Sequence, residues 1–193
     1  MDATDFLFKG LLLGFSIAAP VGPIGVLCIR RTLADGMAHG IISGLGAATA
    51  DAVYGLISAF GVTAVGVFLT DHSQWLRLIG GLFLLYLGFK TFRSAPGTKA
   101  ATAKSGDHLT AFASTLFLTL TNPMTILSFA AIFAGLGAGS AGTGWTSAAF
   151  IVLGVFSGSL LWWVLLAGFV GHLREGFDTA RLLWVNRISG AVI

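Results

Sequence analysis

Long apolar stretches dominate this chain, and two of them are broken from within by proline. The breaks are Ala19-Pro20-Val21-Gly22-Pro23 and Thr121-Asn122-Pro123. About 20 apolar residues wound as a helix match the thickness of a bilayer's hydrocarbon core. A proline inside such a helix removes a hydrogen bond and crowds the carbonyl one turn back, at a cost of roughly 3 kcal/mol. In lipid, backbone freed this way must be received by protein or by a water-filled cavity. The breaks therefore predict two places where backbone polar groups are displayed for a reason. One lies early in each half of the chain, the pattern that points to a transporter's binding site.

The remaining composition supports a membrane setting. Of 193 residues, 55% are hydrophobic and 10% charged, and the mean hydropathy is +0.89. Soluble domains carry about 25% charged residues, so no soluble domain fits beside the apolar segments. The 27 glycines suit helices whose backbones approach closely. The formal charge of +3 does not indicate nucleic acid, because the basic residues sit at segment ends, where they set topology. A single cysteine, Cys28, excludes an intrachain disulfide, a CxxC redox centre and a Cys-rich metal site. No metal or cofactor is predicted. The first apolar stretch follows Asp2 and Asp5 rather than a basic region, so it is read as a retained span, not a signal peptide.

Six apolar segments are expected, at about 6–29, 41–69, 75–92, 109–136, 146–171 and from 182 onward. The last is short for a span: either the native chain continues past Ile193 or this helix only enters the bilayer. Arg30 and Arg31 follow the first segment, Lys90, Arg93, Lys99 and Lys104 the third, and Arg174 and Arg181 the fifth. The positive-inside rule then makes those connections cytoplasmic and places both termini outside. Residues 94–108 read as a cytoplasmic linker between halves at 1–93 and 109–193, within a single transmembrane domain 1–193.

The halves resemble one another at an offset of about 110. Gly44-Leu45-Gly46 matches Gly154-Val155-Phe156, and Trp75-Leu76-Arg77 matches Trp184-Val185-Asn186. A three-span repeat crosses an odd number of times, so its copies enter from opposite sides. The expected fold is an all-α membrane protein of about six helices in two inverted three-helix repeats, the first helix of each broken at proline.

Several residues are placed to carry chemistry. Pro20, Pro23 and Pro123 are expected to free the carbonyls of Ser16, Ala19 and Thr119. The helix restarting at Gly22-Pro23 offers amides and a positive dipole end to a carboxylate, while freed carbonyls suit an ammonium. Against this stands a plain proline kink. Asp51 is the sole acid well inside an expected span, where burying a carboxylate costs roughly 3 kcal/mol. Its helical neighbours Gly44, Ala47, Ala48, Tyr54, Gly55 and Ser58 turn it toward other helices. It accepts a proton or a substrate ammonium, or it caps broken backbone. Asn122 covers backbone opened by Pro123 or donates to a carboxylate. Ser157, Gly158 and Ser159 read as close packing, as do Gly10, Gly14 and Ala18. Trp75, Trp145 and Trp184 read as interfacial anchors. His39, His72, His108 and His172 are expected at the surface, with no close pair.

At these residues the chain resembles the LysE/RhtB amino-acid exporter superfamily. The likeness rests on Pro20-Val21-Gly22-Pro23, Gly44 through Asp51, Asn122-Pro123 and the two Trp-led segments, and it extends over essentially the whole chain. The resemblance implies proton-driven export of amino acids or related small metabolites across a bacterial inner membrane. The lysine-exporter branch resembles Pro-x-Gly-Pro followed by Gln-Asn, where this chain has Ile24-Gly25. The threonine/homoserine branch resembles Pro-Gly-Pro, which Val21 interrupts, and Met124 stands where many members carry Lys. No named amino acid follows from it.

Other classes fit less well. An aspartyl intramembrane protease needs a second carboxylate beside Asp51. A serine type needs a histidine near Ser157, and His172 lies at a segment end. Enzymatic function is therefore not expected. A passive channel or facilitator is the alternative, although it would want a continuous polar lining. The expected site residues are Asp51, Asn122, Pro20, Gly22, Pro23, Pro123 and Tyr54, and the expected partners are the bilayer, an amino-acid-like solute and a proton. Homo-oligomerisation is left open by the sequence.

Overall fold

A computed structural model describes residues 3–20, 22–59, 105–122 and 145–173, with single positions inside 72–93, 125–129 and 184–191. All regular structure among the described residues is helical. Five helices stand out: α1 (Ala3–Ala18), α2 (Pro23–Asp35), α3 (Met37–Ala59), α4 (Ser105–Thr121) and α5 (Trp145–Leu173).

The first break forms as its sequence dictates. The residue before a proline is disfavoured in helical geometry, and α1 stops at Ala18. The Ala19 amide still closes the last turn on the Phe15 carbonyl at 3.0 Å. Pro23 opens α2 at its first position, where a missing N–H costs nothing. The two helices meet at 82°. At the far end of α2, Gly36 adopts φ 106°, and its amide donates to the Arg31 and Thr32 carbonyls, both at 3.1 Å. This left-handed conformation favours glycine and lets α3 begin at the next residue. One expectation is thereby corrected. Arg30 and Arg31 are not loop residues after a span but belong to the last turns of α2, because the chain reverses at a single glycine.

The protein is a multi-pass membrane protein by its helices. Met37–Ile57 of α3 and all of α5 are long and apolar enough to cross a bilayer, and the bent pair α1–α2 supplies a third crossing if it counts as one span. The apolar part of α4, His108–Thr121, is shorter and stops at the second break. The third and sixth expected segments and the end of the second lie largely outside the described residues. The helix α4 begins inside the expected linker 94–108, whose earlier part also lies outside them.

Helix α5 is the hub. One face takes α1 and another takes α3, which in turn carries α4. The α1–α5 contact runs backbone to backbone. A Cβ at Gly14 would collide with the Val155 backbone, and one at Gly158 with that of Leu11. Gly10 and Gly154 face each other in the same row. Contacts of Gly10 with Gly154 and of Gly158 with Leu11 and Phe15 make these helices parallel. Gly46 similarly admits the backbone of Phe112 and Leu116, and Tyr54 further along α3 reaches Leu120 further along α4, which sets the two helices parallel. Between α3 and α5 the register runs the other way: Gly44 meets Trp163, and Gly55 meets Val155.

Polarity is arranged for lipid. Large apolar side chains such as Phe8, Leu12, Leu153, Leu165 and Phe169 are exposed, while Ala47, Ala48, Ala50, Ser43, Thr115 and Ser159 are enclosed. In lipid there is no hydrophobic gain in burying leucine, so small and hydrogen-bonding residues make the contacts. Trp145 projects outward at 82% exposure, as an interfacial anchor requires.

The glycine row supplies a test. Gly158→Val forces the α1 and α5 backbones apart and is expected to cost about 3 kcal/mol. It should abolish the monodisperse size-exclusion peak of detergent-solubilised protein. Gly168→Ala, whose added methyl meets nothing within 4 Å, should leave that peak unchanged.

Candidate functional site

Asp51 is the centre of the polar interior. It lies on α3, 3% exposed, and its Oδ2 accepts a hydrogen bond from Ser159 Oγ on α5 at 2.7 Å. Ser159 in turn accepts from Trp163 Nε1, one turn further along α5, at 3.2 Å. The indole thus orients the hydroxyl, and the hydroxyl donates to the carboxylate. The fold puts them there because Gly44 leaves room for the Trp163 ring against α3.

One turn beyond Asp51, Tyr54 reaches the second break. Its hydroxyl donates to the Leu120 carbonyl in the last turn of α4 at 2.5 Å, and its ring stacks on Phe129 at 5.3 Å. Here the expected backbone pattern is corrected. The Thr119 carbonyl, expected to be freed by Pro123, accepts the Asn122 amide at 3.3 Å, because the last turn tightens ahead of the proline. The Asn122 carbonyl accepts from Ile126 as the helix resumes, at 3.1 Å.

Two apolar clusters bracket the carboxylate. On one side Ala18, Ile24, Leu27, Ala47, Ala48, Leu118 and Trp163 pack together, which brings the start of α2 to the turn of α3 before Asp51. On the other, Tyr54, Ile126, Phe129 and Val155 pack with Leu120, joining the second break to the turn after it. Among the predicted site residues, Asp51 and Tyr54 are buried, while Asn122, Gly22 and Pro23 are half-buried and Pro20 is exposed. No Cβ contact would arise at Gly22 within 4 Å, so the space before α2 is open. Gly22 caps α2 without a side-chain hydrogen bond. Pro123 lies outside the described residues.

Sequence reasoning missed three features. Ser159 was expected to be packing; it is packed, and it is also the partner of Asp51. The two lie 108 residues apart, close to the repeat offset, and that spacing was the available signal. Arg31, expected as a topology marker, is 7% exposed. Its Nη1 donates to Ser43 Oγ at 2.9 Å, the Ala111 carbonyl at 3.0 Å and Thr115 Oγ1 at 2.8 Å, and its Nη2 to Ser114 Oγ at 2.8 Å. One guanidinium thus ties α2 to α3 and α4, the fork geometry a lysine lacks. The expectation of no close histidine pair is also overturned. His39 is buried, and its ring centroid lies 4.4 Å from that of His108. Parallel packing of α3 and α4 juxtaposes the two, which their separation in sequence could not show.

A polar core is thus enclosed by highly apolar helices. The family model for LysE type translocators matches residues 15–193. The chain belongs to the LysE translocator family. That family is one of transporters, not of enzymes. Among relatives of this LysE-family chain, the Bacillus subtilis protein named "Putative amino acid efflux protein YcgF" is 33% identical over 130 residues, covering 65% of this chain and 61% of its own length. The uncharacterized membrane protein YahN of Escherichia coli is 29% identical, over 54% of this chain and 48% of its own. PA4757 of Pseudomonas aeruginosa, another uncharacterized membrane protein, is 32% identical, over 69% and 64%. The chain therefore spans less than two thirds of the length of these relatives. No solved structure matches it.

The Arg31 tie is testable in this LysE-family fold. Arg31→Lys leaves buried oxygens without their donor and should cost about 2–3 kcal/mol, read as a lower unfolding temperature in detergent. Arg30→Lys, at a partly exposed ion pair 3.6 Å from Asp35, should change it little.

Proposed function

We propose that this protein is a secondary active exporter of amino acids or related small metabolites, coupled to protons and working by alternating access. The observation that carries the reading is the Asp51 carboxylate, buried between two helix breaks and held by a hydroxyl from the other half of the chain. A carboxylate in such a place is a functional group by default, because burying it is costly without a partner or a cargo.

The mechanism follows from the groups present. Cargo enters from the cytoplasm and lies between the breaks. Its carboxylate takes the amides at the start of α2, beside Gly22 and Pro23, or the side chain of Asn122. Its ammonium takes deprotonated Asp51. A proton arriving from outside neutralises Asp51 and releases the ammonium. Ser159 keeps the carboxylate aimed, and Trp163 keeps Ser159 aimed. Tyr54 joins this point to the second break, so a change at Asp51 is mechanically linked to α4.

Inverted repeats suit that cycle, and the packing supports them. Helix α1 lies parallel to α5, and α4 parallel to α3, so the first helix of each half packs on the second helix of the other. The aromatic contacts repeat the exchange. Tyr54 of α3 sits over the end of α4, and Trp162 of α5 meets Phe15 near the end of α1, edge to face at 5.4 Å. Parallel α3 and α4 also need the intervening chain to recross the bilayer, which is the part assigned to the third expected span. The setting proposed is a bacterial inner membrane with both termini on the periplasmic side. A passive facilitator would share the site but not the coupling, and it would go on equilibrating solute after the proton gradient is collapsed.

Vesicles loaded with a labelled amino-acid mixture test the proposal. Asp51→Asn is expected to cut uphill transport about tenfold or more, the worth of a hydrogen bond to a charged group. Uphill transport at the wild-type rate in this variant would remove Asp51 from the cycle. Ser159→Ala should lower transport less, and the double variant should be no worse than Asp51→Asn alone, because both act through one carboxylate. In a Cys28→Ala background, cysteines at Gly22 and Asn122 should be joined by a short bridging reagent. Failure to join them would separate the breaks.

A further inference from the structure

The His39–His108 contact takes no part in the transport cycle above. His39 lies in the first turn of α3, where its backbone amide donates to the Gly36 carbonyl at 3.1 Å, and its side chain is buried. His108 lies near the start of α4 and is half-buried. The ring centroids are 4.4 Å apart, with the planes inclined at 59°. Because α3 and α4 run parallel, this contact joins the first and second halves of the chain at one end. Arg31 ties the same two helices one turn further in: Ser43 is four residues beyond His39, and Ala111 three beyond His108. Among the described helices, the principal neighbour of α4 is α3, so a force between these rings acts on the main support of α4.

We propose that the His39–His108 contact is a pH-responsive latch, in which protonation of both rings parts α3 from α4 at the Arg31 end. Histidine is the side chain whose charge ordinarily changes between pH 5 and 8. Two neutral rings pack tilted against one another, and a first proton can be shared between them. A second proton puts like charges in contact, and parting the helices relieves their repulsion. The surrounding charges are these. On α2, Arg31 adds to the repulsion, while Arg30 and Asp35 pair with each other at 3.6 Å. On α4, Asp107 precedes His108. On α5, whose last turns lie against the start of α3 through Gly171 and Met37, His172 is exposed. On α3 itself, Asp51 is three turns away. A solute path that opens at this end would respond to acid on the same side, whatever the solute.

Spin labels at Met37→Cys and Leu109→Cys, both exposed positions flanking the pair, read the separation directly in a Cys28→Ala background. In lipid nanodiscs, lowering the pH from about 8 to about 5.5 is expected to enlarge a longer-distance population roughly threefold, reversibly. His108→Gln, neutral at both values, should abolish the change, and His39→Gln should do the same. His108→Arg, carrying one fixed charge, needs only the His39 proton and should still show the longer distance at the lower pH. A wild-type distribution that does not move with pH overturns the latch. So does an equal response in the glutamine variants, or a His108→Arg protein that keeps the short distance at the lower pH as well. The readout needs no transported solute, so it stands apart from the outcome of Asp51→Asn.

Discussion

The backbone contact between α1 and α5 sets everything else in place. Lipid tails offer helices no hydrophobic reward for association, so close approach and hydrogen bonding must hold them together. Gly10 on α1 meets Gly154 on α5, Gly14 meets the Val155 backbone and Gly158 that of Leu11, with no side chain between. Gly158 and Ser159 are consecutive, about 100° apart around the helix. Once the glycine is turned to α1, the serine is turned to α3, where Asp51 waits. The same contact places the proline-determined end of α1 against α5, and hence the 82° turn into α2.

Polar groups in this interior are satisfied in short relays instead of ion pairs. Asp51 receives a hydroxyl that itself receives an indole N–H. Arg31 spreads its donors over three hydroxyls and a carbonyl. Those hydroxyls are turned in by their own helix: Thr115 also donates to the Ala111 carbonyl, and Ser114 to that of Thr110. Serine and threonine can bond back to the preceding turn while accepting from elsewhere, which makes them suitable hosts for a buried cation. Every buried side-chain nitrogen and oxygen among the described residues has a partner. The two relays divide the labour, with Arg31 joining three helices near one end and Asp51 joining α3 to α5 between the breaks.

Much of this was legible in the sequence. Membrane residence, the first break, the inward face of Asp51 and the packing role of Gly10 and Gly14 all follow from local rules: proline geometry, helical spacing and the cost of charge in lipid. The rest depends on neighbours that lie far along the chain. Arg31 follows an apolar segment, yet Gly36 turns the chain so tightly that its position is interior. Helical i to i−4 bonding alone leaves the Thr119 carbonyl free, whereas the final turn closes at i to i−3. The carboxylate that Ser159 serves and the ring that each of His39 and His108 meets come from other helices.

The sequence by itself determined that this chain lives in a membrane, where its helices break, that Asp51 turns inward, and to which family it belongs. These are properties of composition and of spacing within one helix, fixed by the bilayer's dielectric and by covalent geometry. Only the tertiary structure decided that Ser159 and Trp163 serve Asp51, that Arg31 joins three helices, and that His39 meets His108. Such pairings depend on the register between helices. Register is set by small residues that allow close approach at one rotation and not another, a choice that no single helix carries in its own sequence.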